Sequence, residues 1–279
     1  MWSLYFVHTP IESACAWLEK KYDALVPADS PNRAKRVKYG AFVEMLDYYT
    51  GQLLDALDDS KNTLVIFTSD NGAHPEYAAN APLRGSKWNL YEGGIRVPFI
   101  ARWPDRIAAG TESTEPVIGY DLAPTFAELA GVETSPDADG VSISEILLRR
   151  VSLKERSLLW HFPYYHPERG FSDAKAGIGI NDFVVSQTRP QSAMRRGSHK
   201  IVYDYETKSA ETYDLSKDIG EQNDLADEDA GSLQLLETLK AELEAAGARD
   251  IQPFDNFKEN EIGAEPGLCI HEMGTARMG

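Results

Sequence analysis

Apolar residues recur in this chain with two different periods, and the change of period divides it. Over 33–57, Val37, Ala41, Met45 and Tyr48, flanked by Phe42, Leu46, Tyr49, Leu53 and Leu57, return at helical spacing and predict a long amphipathic helix packed on a sheet. A shorter helix is expected over 13–22, with the Pro-, Asp-, Ser- and Asn-rich stretch 27–32 as the loop between them. Residues 4–7 and 63–68 are apolar runs too brief for a core helix, so each reads as a strand, the second buried on both faces. Another strand is expected over 95–103. After a loop at 104–114, a helix over 122–130 has Asp121 as its N-cap, Pro124 in its first turn and Gly131 as its stop. Helix followed by parallel strand is the repeating unit of an α/β fold, which is the class predicted here.

From about residue 151 the pattern shortens to strand-like runs separated by turns, at 157–162, 180–186, 193–196, 200–205 and 211–215. Runs of this length predict a small antiparallel sheet. Leu233, Leu236, Leu239, Lys240 and Leu243 then restore helical periodicity over 232–246. The expected organisation is a core over 1–150, an antiparallel-sheet subdomain with its helix over 151–246, and a tail over 247–279. With few apolar residues to pack, that tail is expected to be poorly ordered.

Candidate chemistry gathers where the 63–68 strand stops. Ser69-Asp70-Asn71-Gly72 places a carboxylate and a carboxamide at a strand's carboxyl end, where open α/β sheets bind their ligands. Adjacent Asp and Asn oxygens suit a hard cation, Ca²⁺ or Mg²⁺. A tripeptide of this kind, by itself, is usually only a turn. Arg84-Gly85-Ser86-Lys87 and Tyr91-Glu92-Gly93-Gly94-Ile95-Arg96-Val97-Pro98 follow, adding cations and a glycine hinge. A metal beside a lysine describes an anion site.

Taken in order, these motifs closely resemble the sulfatase family, in which a strand ending in Ser-Asp-Asn-Gly is followed by Gly-x-Lys and then by Tyr-Glu-Gly-Gly-x-Arg-x-Pro. Tyr120-Asp121-Leu122-Ala123-Pro124-Thr125 also fits that pattern, as do Trp160-His161-Phe162-Pro163, Arg196-Gly197-Ser198-His199-Lys200, Tyr213-Asp214-Leu215 and the stretch 220–225. The resemblance implies a partial alkaline-phosphatase-like sandwich with a small C-terminal antiparallel-sheet subdomain. It implies a sulfuric ester hydrolase in which Asp70 and Asn71 bind Ca²⁺ and Lys87 holds a sulfate oxygen. His8, in a segment similar to the family's Pro-His-x-Pro, is the implied histidine facing the sulfate ester, with Val7 in place of the proline. His161 and His166 are candidates for lining the substrate pocket, a satisfied structural histidine being the plainer alternative for each.

Other features of the family's pattern do not occur. Sulfatases use a formylglycine made from Cys or Ser in Cys/Ser-x-Pro-x-Arg, and this chain has no such motif; Asp29-Ser30-Pro31-Asn32-Arg33 has Asp where the nucleophile belongs. Only two of the usual four protein ligands for the metal are present, so half a Ca²⁺ site and an inactive chain are expected. The alternatives are a fragment that binds a sulfated ligand, such as a sulfated glycan, without turnover, or a phosphate or phosphonate ester hydrolase of the same superfamily. The ending at 266–279, with His271-Glu272-Met273-Gly274-Thr275, resembles glucose-methanol-choline flavin oxidoreductases. No Gly-x-Gly-x-x-Gly loop accompanies it, so FAD binding is not expected. The two resemblances meet within the last helix, as in a truncated or fused reading frame.

Composition removes other classes. The formal charge of −16, from 44 acidic and 28 basic residues, argues against a nucleic-acid partner. Cys15 and Cys269 lie near opposite ends and read as free thiols rather than a disulfide framework. No apolar run is long enough for a membrane span, and the start lacks the marks of a signal peptide, although periplasmic, secreted or lysosomal placement is expected of full-length family members.

Overall fold

The computed structural model describes residues 4–13, 15–57, 62–149, 151–162, 190–226 and 230–245. Helices α1 (Ala16–Leu25) and α2 (Arg33–Ala56) pack on each other. α2 buries Val37, Ala41 and Phe42, the stripe its periodicity predicts, while Tyr48 and Tyr49 stay exposed. Residues 4–7 are not a strand. Phe6 sits 4.5 Å from the Phe42 ring and 5.8 Å from Tyr49, and the His8 N–H closes a turn on Tyr5 O at 2.8 Å. Aromatic packing onto α2 takes the place of a sheet ladder.

β1 (Val65–Thr68) pairs with β2 (Phe99–Arg102) in a two-stranded antiparallel ribbon, Val65 opposite Arg102 and Thr68 opposite Phe99. This corrects two expectations, parallel pairing and burial on both faces. Phe67 is 38% exposed and Ile100 61%. A helical turn, α3 (Glu92–Ile95), stands between the ribbon's strands and shortens the second.

Beyond β2, a 3₁₀ turn at Gly119–Asp121 runs into α4 (Leu122–Leu129), and α5 (Ser144–Arg149), not foreseen from the pattern, follows. Asp121 does not cap α4 through its side chain. It is fully buried, and its oxygens accept the Ile118 N–H at 3.0 Å and the Val141 N–H at 3.1 Å and pair with Arg156 in a fork. A buried carboxylate satisfied on both oxygens joins three chain segments, which a solvent-facing cap would not do.

The second sheet has the order β3 (Ser157–Phe162), β4 (Gln191–Arg196), β5 (His199–Asp204), β6 (Ser209–Asp214), with every pair antiparallel. The expected run 180–186 lies outside the described residues. Because side chains alternate across a strand, the sheet has two different faces. On one, Phe162, Ala193, Val202 and Tyr213 pack with Leu90 and Tyr91. On the other, Met194 and Ile201 pack with Leu239 of α6 (Ala230–Ala245). The first face therefore meets the segment that carries the candidate site.

Candidate functional site

Asp70, Asn71 and Gly72 follow β1 one residue on, after Ser69, as the sequence pattern requires. Asp70 is exposed, and its Oδ1 accepts the Asn71 N–H at 3.0 Å. The Asn71 carboxamide donates to Gly72 O at 3.0 Å, which turns its Oδ1 inward as a buried acceptor with no hydrogen-bond donor. An orphaned carbonyl oxygen beside a carboxylate is a donor set for a hard cation. Gly72 is required sterically: a Cβ there would lie 1.8 Å from Gly93 O, and its N–H bonds Gly94 O at 2.7 Å.

Lys87 reaches the same place along a different path. Its N–H donates to Ala73 O at 3.0 Å, so the lysine loop is bonded by backbone to the residue after Gly72. The side chain is buried, 7% exposed, and burial pushes the ammonium below the ordinary lysine range, while the nearby Asp70 charge opposes that shift. A partly desolvated cation with a carboxylate close by favours an anionic guest that water does not screen. Trp88 follows at φ 81°, a left-handed conformation that costs a non-glycine residue about 1–3 kcal/mol. The conformation is held by the Asn89 side chain on Ser86 N at 3.3 Å and by Gln191 Oε1 on Leu90 N at 3.3 Å. His74 stands edge-on to Trp88, ring centroids 4.7 Å apart, and to Tyr77 at 4.8 Å. No sequence motif singled out His74 or Trp88; the tryptophan directly after the lysine was the available signal.

The remaining candidates are not gathered in the same way. His8 bonds Thr9 O through Nδ1 at 2.7 Å and lies 5.4 Å from the Tyr5 ring. His161 pairs with Ser192 in the β3–β4 register, on the face of the sheet turned to α6, opposite the face that meets Leu90. Its Nδ1 is 2.7 Å from Ser192 Oγ, which is 2.7 Å from Tyr205 OH, and partial burial holds the imidazole below its usual range. Ser192 is fully buried, so this Ser–His pair presents no nucleophile. His166 lies outside the described residues. Among the described residues no group of three or more His, Cys, Asp or Glu side chains is placed to hold a metal.

The family model for sulfatases matches residues 2–132, and that for the C-terminal part of N-sulphoglucosamine sulphohydrolase matches 86–249; the two overlap on the segment bearing Lys87 and Glu92. A sulfatase of Formosa agariphila is 35% identical over 80% of this chain and 41% of its own length. Human steryl-sulfatase is 31% identical over 96% of the chain and 50% of itself, so the chain spans about half the length of the curated relatives it matches. Among solved structures, Ps i-CgsB in complex with k-i-k-neocarrahexaose aligns with TM-score 0.65 at 25% identity over 86% of this chain and 48% of that one. BT4656, solved with its substrate D-glucosamine-2-N,6-O-disulfate, aligns with TM-score 0.59 at 22% identity over 76% of this chain and 41% of that one. The mixed α/β architecture with its small antiparallel sheet is thus the alkaline-phosphatase-like fold, and the chain belongs to the sulfatase family.

Proposed function

We propose that Asp70, Asn71 and Lys87 form one side of a metal-dependent sulfate-ester site. Asp70 and the orphaned Asn71 Oδ1 hold the cation, Ca²⁺ by family resemblance, and Lys87 holds a sulfuryl oxygen. The observation that carries this reading is the buried Lys87 beside Asp70, bonded by backbone to the residue after Gly72. The cation, when bound, supplies positive charge against the oxygens of the sulfate. Lys87 adds a second positive charge from a partly desolvated site, so it loses less solvation when the anion enters than an exposed lysine would. The substrate class is a sulfated sugar, supported by the glucosamine disulfate bound in one structural relative. His8 is the candidate histidine toward the ester.

The chain contains no Cys/Ser-x-Pro-x-Arg, the motif from which the family makes its formylglycine nucleophile, and on that ground we read it as binding rather than cleaving by itself. Calorimetric titration of the whole chain with Ca²⁺, then with inorganic sulfate, tests the reading. Ca²⁺ affinity is expected to fall at least tenfold in Asp70→Asn, and sulfate affinity at least tenfold in Lys87→Ala. Wild-type chain that takes up neither ion overturns it. Sulfate release from an aryl sulfate above the Lys87→Ala background would overturn the binding-only part alone.

A further inference from the structure

The face of the second sheet turned toward the site carries a lysine among apolar neighbours. Lys200 of β5 is fully buried, next to Val202 and opposite Tyr213. Its ammonium lies 3.0 Å from Glu92 Oε1 and 2.8 Å from Glu221 Oε1. Both carboxylates are also buried, and Glu221 Oε2 accepts the backbone N–H of Glu92 at 2.7 Å. Arg96 and Arg195 stand 3.2 and 3.8 Å from the other oxygen of Glu92. A buried cluster of this kind is no cheap way to hold a sheet in place, because apolar residues of the same volume do so at least as well. What it adds is directional: ion pairs and hydrogen bonds fix one orientation, whereas an apolar contact slides.

Glu92 is where that orientation matters. It begins α3, and the two residues after it are bonded to both site loops. The Gly93 N–H meets Arg84 O at 2.7 Å, on the loop leading to Lys87, and Gly94 O accepts the Gly72 N–H at 2.7 Å, next to Asn71. The contact has no slack, since a Cβ on Gly94 would fall 2.0 Å from Asn89 O. A displacement of Glu92 is therefore passed by stacked backbone to Asp70, Asn71 and Lys87.

We propose that Lys200, Glu92 and Glu221 are positioning residues, a buried clasp through which the antiparallel sheet sets the Asp70–Asn71 loop and the Lys87 loop in register. None of the three belongs to the proposed ion-binding set Asp70, Asn71 and Lys87; they act through the 84–94 backbone. The part of the proposal that concerns ion binding rests on the sulfate-ester reading above, while the part that concerns loop register does not.

Hydrogen exchange read by mass spectrometry on the whole chain separates the two. In Lys200→Met, which keeps the length and removes the charge, peptides covering 70–94 are expected to exchange at least tenfold faster, while peptides from α1 and α2 change by less than twofold. Unchanged exchange over 70–94, or an equal rise everywhere, overturns the clasp and leaves a merely structural lysine. Glu221→Gln, which keeps an acceptor for the Glu92 N–H, serves if Lys200→Met does not fold, with a smaller rise in the same peptides expected and the same result overturning it. Ca²⁺ titration of the same variant is expected to show at least tenfold weaker binding. Wild-type chain that binds no Ca²⁺ removes the metal assignment, and the exchange result still decides the clasp.

Discussion

The two sheets of this molecule are both antiparallel, yet they are stabilised in opposite ways. The β1–β2 ribbon carries the candidate ligands at its end and leaves Phe67 and Ile100 open to solvent. The four-stranded sheet carries none of the Asp70–Asn71–Lys87 set, yet it is packed on both faces and buries a lysine completely. A two-stranded ribbon is marginal on its own. The geometry of the site is consequently held less by the strand that presents it than by the neighbouring sheet, acting through the 84–95 segment. The residues that position a site need not lie on the element that displays it.

Substitutions in the two sheets should therefore differ greatly in cost. Lys200→Met leaves Glu92 and Glu221 facing each other without their shared cation, and should lose roughly 3–5 kcal/mol of unfolding free energy in urea. A loss below about 1 kcal/mol would place the sheet's stability elsewhere. Met194→Ala, on the α6 face of the same sheet and fully buried, should cost about 2–5 kcal/mol through the cavity it leaves, without disturbing exchange over 70–94.

Acid should act selectively on the clasp. Burial alone would raise the Glu92 carboxyl, but Lys200 and Arg195 outweigh it and hold the group below its ordinary value of 4.5. A carboxylate with a depressed folded pKa contributes stability above 4.5, and that contribution is lost as pH falls through the folded value. Glu221 shifts the other way, its burial outweighing Lys200, so its ionisation withdraws stability as pH rises from 4.5. Melting temperatures below pH 4.5 should accordingly fall less steeply in Glu92→Gln than in the wild type; parallel curves would contradict the assignment. The smallest effect belongs to the ribbon: Ile100→Thr, on an exposed position, should change stability by less than about 0.5 kcal/mol in the same urea experiment.

Much of this was legible in the amino-acid order, and the exceptions share a cause. Helix α2 followed from its own periodicity, because a stripe of apolar residues needs only a surface to lie on. β3 was expected at 157–162 and found as Ser157–Phe162. Asp70, Asn71 and Lys87 stood out as an ordered motif, and the structure brings them together. Residues 4–7 misled because an apolar run reports burial without naming the partner, and here the partner is α2 rather than a strand. Asp121 looked like a cap because its position before a helix is visible locally, while Arg156 and Val141, which claim its oxygens, are distant in the chain. His161 carried two readings from the sequence, pocket lining and a satisfied structural histidine; the structure gives its Nδ1 a partner in Ser192 Oγ, and the alternation of β3 sets it on the α6 face once the sheet has chosen which side meets Leu90.

Local order by itself thus determined the helical stripes, the short strands and the Asp-Asn and lysine motifs, since each depends on neighbours within a few residues. Which face of the second sheet meets the site, that the ribbon pairs antiparallel, and that Lys200 joins Glu92 to Glu221 were decided only in three dimensions. The reason is physical: in the clasp Glu92 lies more than a hundred residues from both Lys200 and Glu221, and a buried charge declares its partner only when both have been taken out of water.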